Sequence, residues 1–369
     1  MKVAVVKCND YDSNSVRPAL AKAVELLGGL DVKKGDKVLL KPNLLSASTA
    51  DQHHTTHPAV VREVCRILHQ KGAEIWIGDS SGAGHKTADA YKTAGVTEVA
   101  EEFGAKLVSF EKESVNIKIE GRILNSVNLG AAVKKADFII NLPKLKTHSL
   151  TKYTGAIKNM FGVVPGGGKS KYHRIAPTIT LFSDLLLDVY SAAKPNLTIM
   201  DAVIGLEGNG PGTGGLPKKT GLIIASKDGI ALDMAASKII GYDPMEIKMI
   251  NQAIGRGMFD GKFEVVGEDI SAVSVPYKKP ITSGFEVPGF LQSVIFNIST
   301  IRPKITDRCK KCNVCVKACP ASAIELPDID RKRCILCYCC HELCPHNAIE
   351  LNETAMFAFL RKAKHFFKM

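Results

Sequence analysis

The chain has 369 residues, 45% hydrophobic and 23% charged, the balance of a folded globular protein with room for two or three domains. Its net charge is +12, and half of that excess falls after residue 300. No apolar run reaches bilayer-spanning length and the start, MKVAVVKCNDYD, lacks a secretory layout, so the cytoplasm is the expected compartment, with no transmembrane segment and peripheral membrane contact left open.

In chain order, the apolar spacing predicts a strand over residues 2–6, a helix over 16–27 and a strand over 37–40 that ends in Lys41-Pro42-Asn43. A helix over 57–71 follows, with Pro58 suited to its first turn, then a strand over 74–77 ending in Gly78-Asp79. Helices are expected over 87–95, 96–103, 177–193 and 230–240, and strands over 106–110, 138–141, 196–200 and 221–225. This alternation predicts an α/β domain with a largely parallel sheet and flanking helices over 1–285. Residues 262–285 read as short strands and turns, and 286–304 as a linker. A small α+β module is expected over 305–353 and a basic amphipathic tail over 354–369, with Met356, Leu360, Ala363 and Phe367 on one face.

Nine of the eleven cysteines lie between Cys309 and Cys344. The spacing Cys309-x2-Cys312-x2-Cys315-x3-Cys319-Pro320 recurs 25 residues later as Cys334-x2-Cys337-x2-Cys340-x3-Cys344-Pro345. Three cysteines on a tight loop suit three irons of one cubane, and the fourth, before proline, reaches the other cluster. Two [4Fe–4S] clusters are thus expected, one on Cys309, Cys312, Cys315 and Cys344, the other on Cys334, Cys337, Cys340 and Cys319. Zinc prefers four ligands in separated pairs rather than eight at one repeated interval. Cys339 falls outside the pattern and reads as a non-ligand, and Cys8 and Cys65 as small buried hydrophobes. The module resembles the bacterial two-cluster ferredoxins, which implies electron transfer. Cluster charge of about 2− each offsets the basic excess, so a redox partner protein or an anionic small molecule is the expected partner, and no nucleic acid.

Lys41-Pro42-Asn43, Gly78-Asp79-Ser80-Ser81-Gly82, the run from Asn141 to His148, the run from Thr154 to Gly162 and the run from Asp201 to Gly215 together resemble the DUF362 family, often fused to ferredoxin modules. Most of these segments end predicted strands, the edge where open α/β sheets bind ligands. The reading therefore gathers Lys41, Lys144, Lys146 and His173 as anion-binding residues and His148, Lys158 and Asp79 as catalytic ones, with His148 as acid/base. The glycine loops at 78–84, 162–170 and 205–215 could offer amides to an anion, but neither long one has the strand and helix context of a nucleotide fingerprint. A fainter resemblance, carried by His148, Lys158, His173 and the Phe161-Gly162-Val163-Val164-Pro165-Gly166 run, is to the nickel-pincer lactate racemases. It implies a cofactor-anchoring lysine like Lys158 and nickel-ligating or acid/base histidines, His85 among them. His53, His54 and His57 could also pair around a metal. The expectation is an iron–sulfur oxidoreductase of unknown substrate. The alternative is a non-enzymatic carrier whose large domain docks a partner enzyme.

Overall fold

In the structure, a computed structural model, residues 1–82, 86–284 and 301–353 are described. Short runs of Val, Leu and Ile make the strands β1 (Lys2–Lys7), β2 (Lys37–Pro42), β3 (Glu74–Asp79) and β4 (Lys106–Ser109). A hairpin, β5 (Ser114–Lys118) and β6 (Ser126–Gly130), follows, and then β7 (Phe138–Leu142), β8 (Lys144–His148) and β9 (Lys152–Thr154). β10 (Leu197–Gly208), β11 (Gly215–Ser226) and β12 (Glu264–Gly267) complete the large domain. The main sheet runs β12-β1-β11-β10-β7-β2-β3-β4, with β8 bonded to β10 and β9. From β10 through β7, β2 and β3 to β4 the strands are parallel, and β11 is antiparallel to both of its neighbours. Both faces are covered. Val3, Val5 and Leu39 pack on the side of the helices Ile179–Ala193 and Gly229–Ile239. Ala4, Val38 and Leu40 pack on the side of Ser13–Leu26 and Pro58–Gln70. Alternate residues of one strand thus serve opposite cores, which is why these strands are apolar throughout.

The α/β expectation holds, with local differences. β10 and β11 are each 12 residues long and form one hairpin, so Asp201 lies inside a strand rather than at its end. Residues 144–148 form a further, fully buried strand beyond the one expected over 138–141. The glycine run at 166–168 opens a helix, Gly166–Ile175, with a 3-10 turn rather than a strand leading into it.

In the small module, β13 (Ile301–Ile305) pairs with β16 (Ile349–Glu353), so residues 301–304, expected as linker, are a strand of the module. Residues 286–300, the tail and His85 lie outside the described residues. β14 (Ile324–Glu325) and β15 (Asp328–Ile329) form a second small pair, and the helices Val314–Ala318 and Cys339–Leu343 carry Cys315 and Cys339 with Cys340. The sequence repeat is also a backbone repeat. Left-handed residues occur at Lys311, Asn313 and Ser322 and again at Leu336, Tyr338 and Asn347, the same 25-residue interval. Among the described residues no helix is long and apolar enough to cross a membrane.

The glycine-rich run 205–215 seats the module on the large domain. Thr213 Oγ1 donates to the Cys344 carbonyl (3.1 Å), and His341 Nε2 lies 3.1 Å from the Asn209 carbonyl oxygen. A Cβ at Gly212 would overlap the Glu342 carbonyl oxygen, so glycine is needed there for close approach, not for anion binding.

Lys144 is a correction to the expected anion site. It is buried and satisfied: its Nζ donates to Asp201 Oδ2 (2.8 Å) and Tyr11 Oη (2.6 Å), while Tyr11 donates to Asp201 Oδ1 (2.9 Å). Asp201 also accepts from the His57 amide, and the His57 ring stacks on Tyr11 at 3.6 Å. His57 caps its own helix and His54 Nδ1 pairs with Ser48 Oγ (3.1 Å). Among the described residues no three His, Cys, Asp or Glu side chains are placed to hold a single metal ion.

Two outcomes follow. Lys144→Met strands the buried Asp201 carboxylate and should lower stability by about 3–5 kcal/mol in urea titration, with anion binding by the folded protein unchanged. A loss below about 1 kcal/mol would deny the pair its structural role. Gly212→Val should part the two modules, raising the radius of gyration in small-angle scattering at unchanged iron content; an unaltered scattering curve would show that the seat tolerates the side chain.

Candidate active site and cluster-binding module

The C-terminal ends of β2 and β3 place Lys41 and Asp79 side by side. Lys41 Nζ lies 2.7 Å from Asp79 Oδ1, and Asp79 also accepts from the Ser80 and Leu44 amides (2.8 and 2.7 Å). Burial pushes the Asp79 carboxyl up and the Lys41 ammonium down, and each partner's charge opposes the other's shift. Gly162 closes over the pair: a side chain there would collide with both Asp79 and Lys41. Asp79 is therefore fully engaged and positions the loop. Both of its oxygens accept hydrogen bonds that hold the loop, in place of the free catalytic group expected of it.

Beyond this pair opens a cavity with about 750 Å³ of empty space, part of it reaching solvent. Its large-domain wall carries Lys41, Asp79, Lys146, Lys158, Lys169 and His173. Lys146 is buried and donates to Asn43 Oδ1 (2.6 Å) and the His54 carbonyl (2.7 Å), neither of them an anion. Burial, then the charges of Lys158 and Lys144, hold it well below the ordinary lysine range. Lys169 donates to the Ser80 and Ser81 carbonyls and is pushed down to about 8, chiefly by burial. His173 stacks on Phe182 at 4.2 Å, and burial pushes its imidazole down to about 3.

Lys158 is held on a one-turn helix, Ala156–Asn159, whose start is clasped by Asp233. Asp233 accepts from the Ala156 and Ile157 amides (2.6 and 2.9 Å) and from Tyr153 Oη (2.9 Å). A carboxylate at a helix start complements the exposed amides. Lys158 itself has no hydrogen-bond or ion-pair partner among the described residues. Burial lowers its ammonium, with Glu342 opposing.

The facing wall comes from the small module: Ala318, Cys339, Glu342 and Leu343. Glu342 is pushed up to about 7 by burial, against the pull of Lys158 and Lys146. Behind it, His148 Nδ1 accepts from the Leu150 and Thr151 amides (3.0 and 3.4 Å), which fixes the neutral tautomer with its hydrogen on Nε2. That Nε2 lies 3.3 Å from Glu342 Oε1 at an angle too poor for a hydrogen bond, and both atoms are otherwise buried without partners.

The cysteines form two sets. One cavity is lined by Cys309, Cys312, Cys315 and Cys344 among Ile305, Val314, Leu326 and Ile349. The other is lined by Cys319, Cys334, Cys337 and Cys340 among Pro303, Ile324, Ile329 and Tyr338. Each set takes one cysteine from the other repeat. Backbone amides point at sulfur: Ala323 N at Cys319 (3.2 Å), Ala348 N at Cys344 (3.3 Å) and Lys311 N at Cys309 (3.4 Å). Apolar walls with amides aimed at thiolate sulfur fit an iron–sulfur cubane. Cys339 faces the lysine-rich cavity and lines neither cysteine cavity.

The structure thus brings together Lys41, Asp79, Lys146, Lys158 and His173, sets His148 one side chain behind, and places Lys144 elsewhere. Sequence reasoning missed Lys169, Asn43, Cys339 and Glu342. The only local signal for Glu342 was an acid on the apolar side of a cluster-binding helix.

A model of a domain of unknown function, DUF362, matches residues 38–238, and a 4Fe-4S binding domain matches 303–325 and 327–350. The chain is 34% identical over 248 residues to a thylakoid-associated protein of Synechocystis sp., covering 66% of this chain and 76% of that one. Among solved structures, a Thermotoga maritima protein from structural genomics aligns with TM-score 0.38 at 14% identity, over 57% of this chain and 55% of that one. The lactate racemase apoprotein of Thermoanaerobacterium thermosaccharolyticum aligns with TM-score 0.35 at 10% identity, over 59% and 53%. The chain spans little more than half of either structure. With the family model covering more than half of the sequence and the 4Fe-4S model matching both cysteine repeats, this chain belongs to the DUF362 family and carries two iron–sulfur binding motifs.

Proposed function

We propose that the chain is an iron–sulfur oxidoreductase that passes electrons between two [4Fe–4S] clusters and an anionic substrate or cofactor in the cavity between its modules. One observation carries the reading. The helix Cys339–Leu343 presents Cys339 and Glu342 to a cavity rich in lysine, while Cys337 and Cys340 beside them line a cluster cavity. The ligand sets are Cys309, Cys312, Cys315 and Cys344 for one cluster and Cys319, Cys334, Cys337 and Cys340 for the other. When bound, the clusters supply single electrons. Lys158, with Lys146 and Lys169 beside it, holds carboxylate or phosphate oxygens, because a buried ammonium without a counter-ion gains most from an anion. Glu342, backed by the Nε2 hydrogen of His148, stands where a proton could be handed to the bound anion. The thylakoid association in the relative's name supports a peripheral membrane contact as part of the same reading.

Anaerobically purified protein should hold about eight irons per chain. Cys319→Ala should deplete the cluster of the second motif and spare the first in electron paramagnetic resonance; the reverse pattern would overturn the interleaved assignment. Cys339→Ala should leave iron content unchanged.

Lys158→Ala should weaken the binding of oxalate or phosphate by about tenfold or more in calorimetry, with iron content intact. Lys158→Arg should retain most of it, since guanidinium keeps the charge and the donors. Loss in both variants, with nickel in the wild-type protein, would instead point to a cofactor bonded to the amine. Wild-type affinity in the Ala variant would move the anion site elsewhere and leave the carrier alternative standing.

A further inference from the structure

The two halves of the small module share a backbone but not a surface. At the 25-residue interval, Lys310, Lys311 and Asn313 of the first cysteine loop correspond to Ile335, Leu336 and Tyr338 of the second. Residues 310–313 are exposed, Cys312 included. Lys310 and Lys311 have no acidic partner among the described residues. Arg308 and Arg333, by contrast, are each paired, Arg308 with Glu350 (2.7 Å) and Arg333 with Glu325 and Asp330 (2.6 and 2.7 Å).

The second loop is covered. Leu336 and Tyr338 pack with Ile301 and Leu351, and against Leu150 and Ile281 of the large domain; Tyr338 Oη donates to the Ile301 carbonyl (3.0 Å). Ala318 and Cys339, chain neighbours of Cys319 and Cys340, line the active-site cavity. One cysteine set therefore meets solvent through a basic loop, and the other lies against the cavity.

We infer that the set Cys309, Cys312, Cys315 and Cys344 is the outer station, where an acidic one-electron carrier protein docks over Lys310, Lys311 and Cys312, and that the set Cys319, Cys334, Cys337 and Cys340 is the inner station serving the cavity. Each transit oxidises the carrier by one electron and reduces the occupant of the cavity by one. The partner is acidic because the exposed loop offers ammonium groups with no counter-ion, and such patches steer association with oppositely charged surfaces. The inference rests on the cavity reading for its inner end only.

The test uses the full-length, cluster-loaded protein and a reduced acidic flavodoxin as probe. Flavin absorbance in stopped flow gives the transfer rate, and carbodiimide cross-linking with peptide mapping gives the contact. Wild-type protein should react at a rate that falls steeply with salt and should cross-link through Lys310 or Lys311. Lys310→Glu with Lys311→Glu should slow transfer by about tenfold or more and abolish the salt dependence. Arg331→Glu with Lys332→Glu, a charge reversal before the second motif, should change the rate less than about threefold. Iron content is measured in every variant, and these side chains are exposed. Equal slowing by both pairs, or cross-links confined to Lys332, would overturn the inference. An unchanged rate in the Lys310/Lys311 variant beside intact anion binding would sink the docking surface and spare the cavity reading. A slowed rate in a chain that binds no anion would do the opposite.

Discussion

The arrangement turns on an imbalance of charge in a confined space. Lys41, Lys146, Lys158 and Lys169 share one cavity with Asp79 and Glu342, and Asp79 is spent on Lys41. Removing ammonium groups from water is costly unless each finds a counter-ion or a full set of acceptors. Lys146 and Lys169 find acceptors in an asparagine and in main-chain carbonyls, which satisfy hydrogen bonds without cancelling charge. The remainder falls on Lys158 and on Glu342, which arrives from the other module. Seating the small module over the strand ends thus adds a carboxylate to the cavity at the same stroke as it brings up a cluster-bearing helix.

That seat also accounts for the glycines. Gly162 lets the chain pass directly over the Lys41–Asp79 pair, and Gly212 lets the β10–β11 loop touch the backbone of the cluster-bearing helix. Both serve close approach rather than left-handed backbone or amide–anion contacts. A glycine in a sequence records only that a side chain is excluded, so a run such as 205–215 could equally be a phosphate cradle or a contact surface until its neighbours are known.

The parts legible in the sequence were those whose determinants are local. The cysteine intervals fix ligand geometry within a dozen residues, and parallel strands buried on both faces declare themselves as short apolar runs. Lys41 and Asp79 were legible as neighbours because they lie at the C-terminal ends of the parallel strands β2 and β3, whereas Lys146 inside β8 and Lys158 on a short helix reach the same cavity from elements that the strand-end argument does not describe. Lys144 was misplaced for a specific reason. Lys144 and Lys146 are two apart on β8 and should share a face, but the pairing of β8 with β10 jumps from Asp201 to Leu206. The irregularity gives Lys144 to Asp201 and Tyr11 and leaves Lys146 for Asn43. Glu342 and Cys339 were out of reach because their role depends on how two modules meet, which no periodicity encodes.

The same imbalance bears on redox chemistry. On the proposed function, an electron delivered to a bound anion would add negative charge to a space whose lysines are already in place, so the cavity would stabilise the reduced occupant more than the oxidised one. The stabilisation needs no rearrangement at the moment of transfer, which is the condition under which fixed charges do most in a low-dielectric site. A second electron would deepen the negative charge, and relief would come from a proton. The carboxyl of Glu342, set between the cavity and His148 and drawn from the cluster-bearing helix itself, stands where that proton would be needed. On that proposal, electron delivery and proton supply both fall to one helix of five residues, Cys339–Leu343, which faces the lysines of the large domain, and the packing of that helix against the strand ends joins the two walls of the cavity.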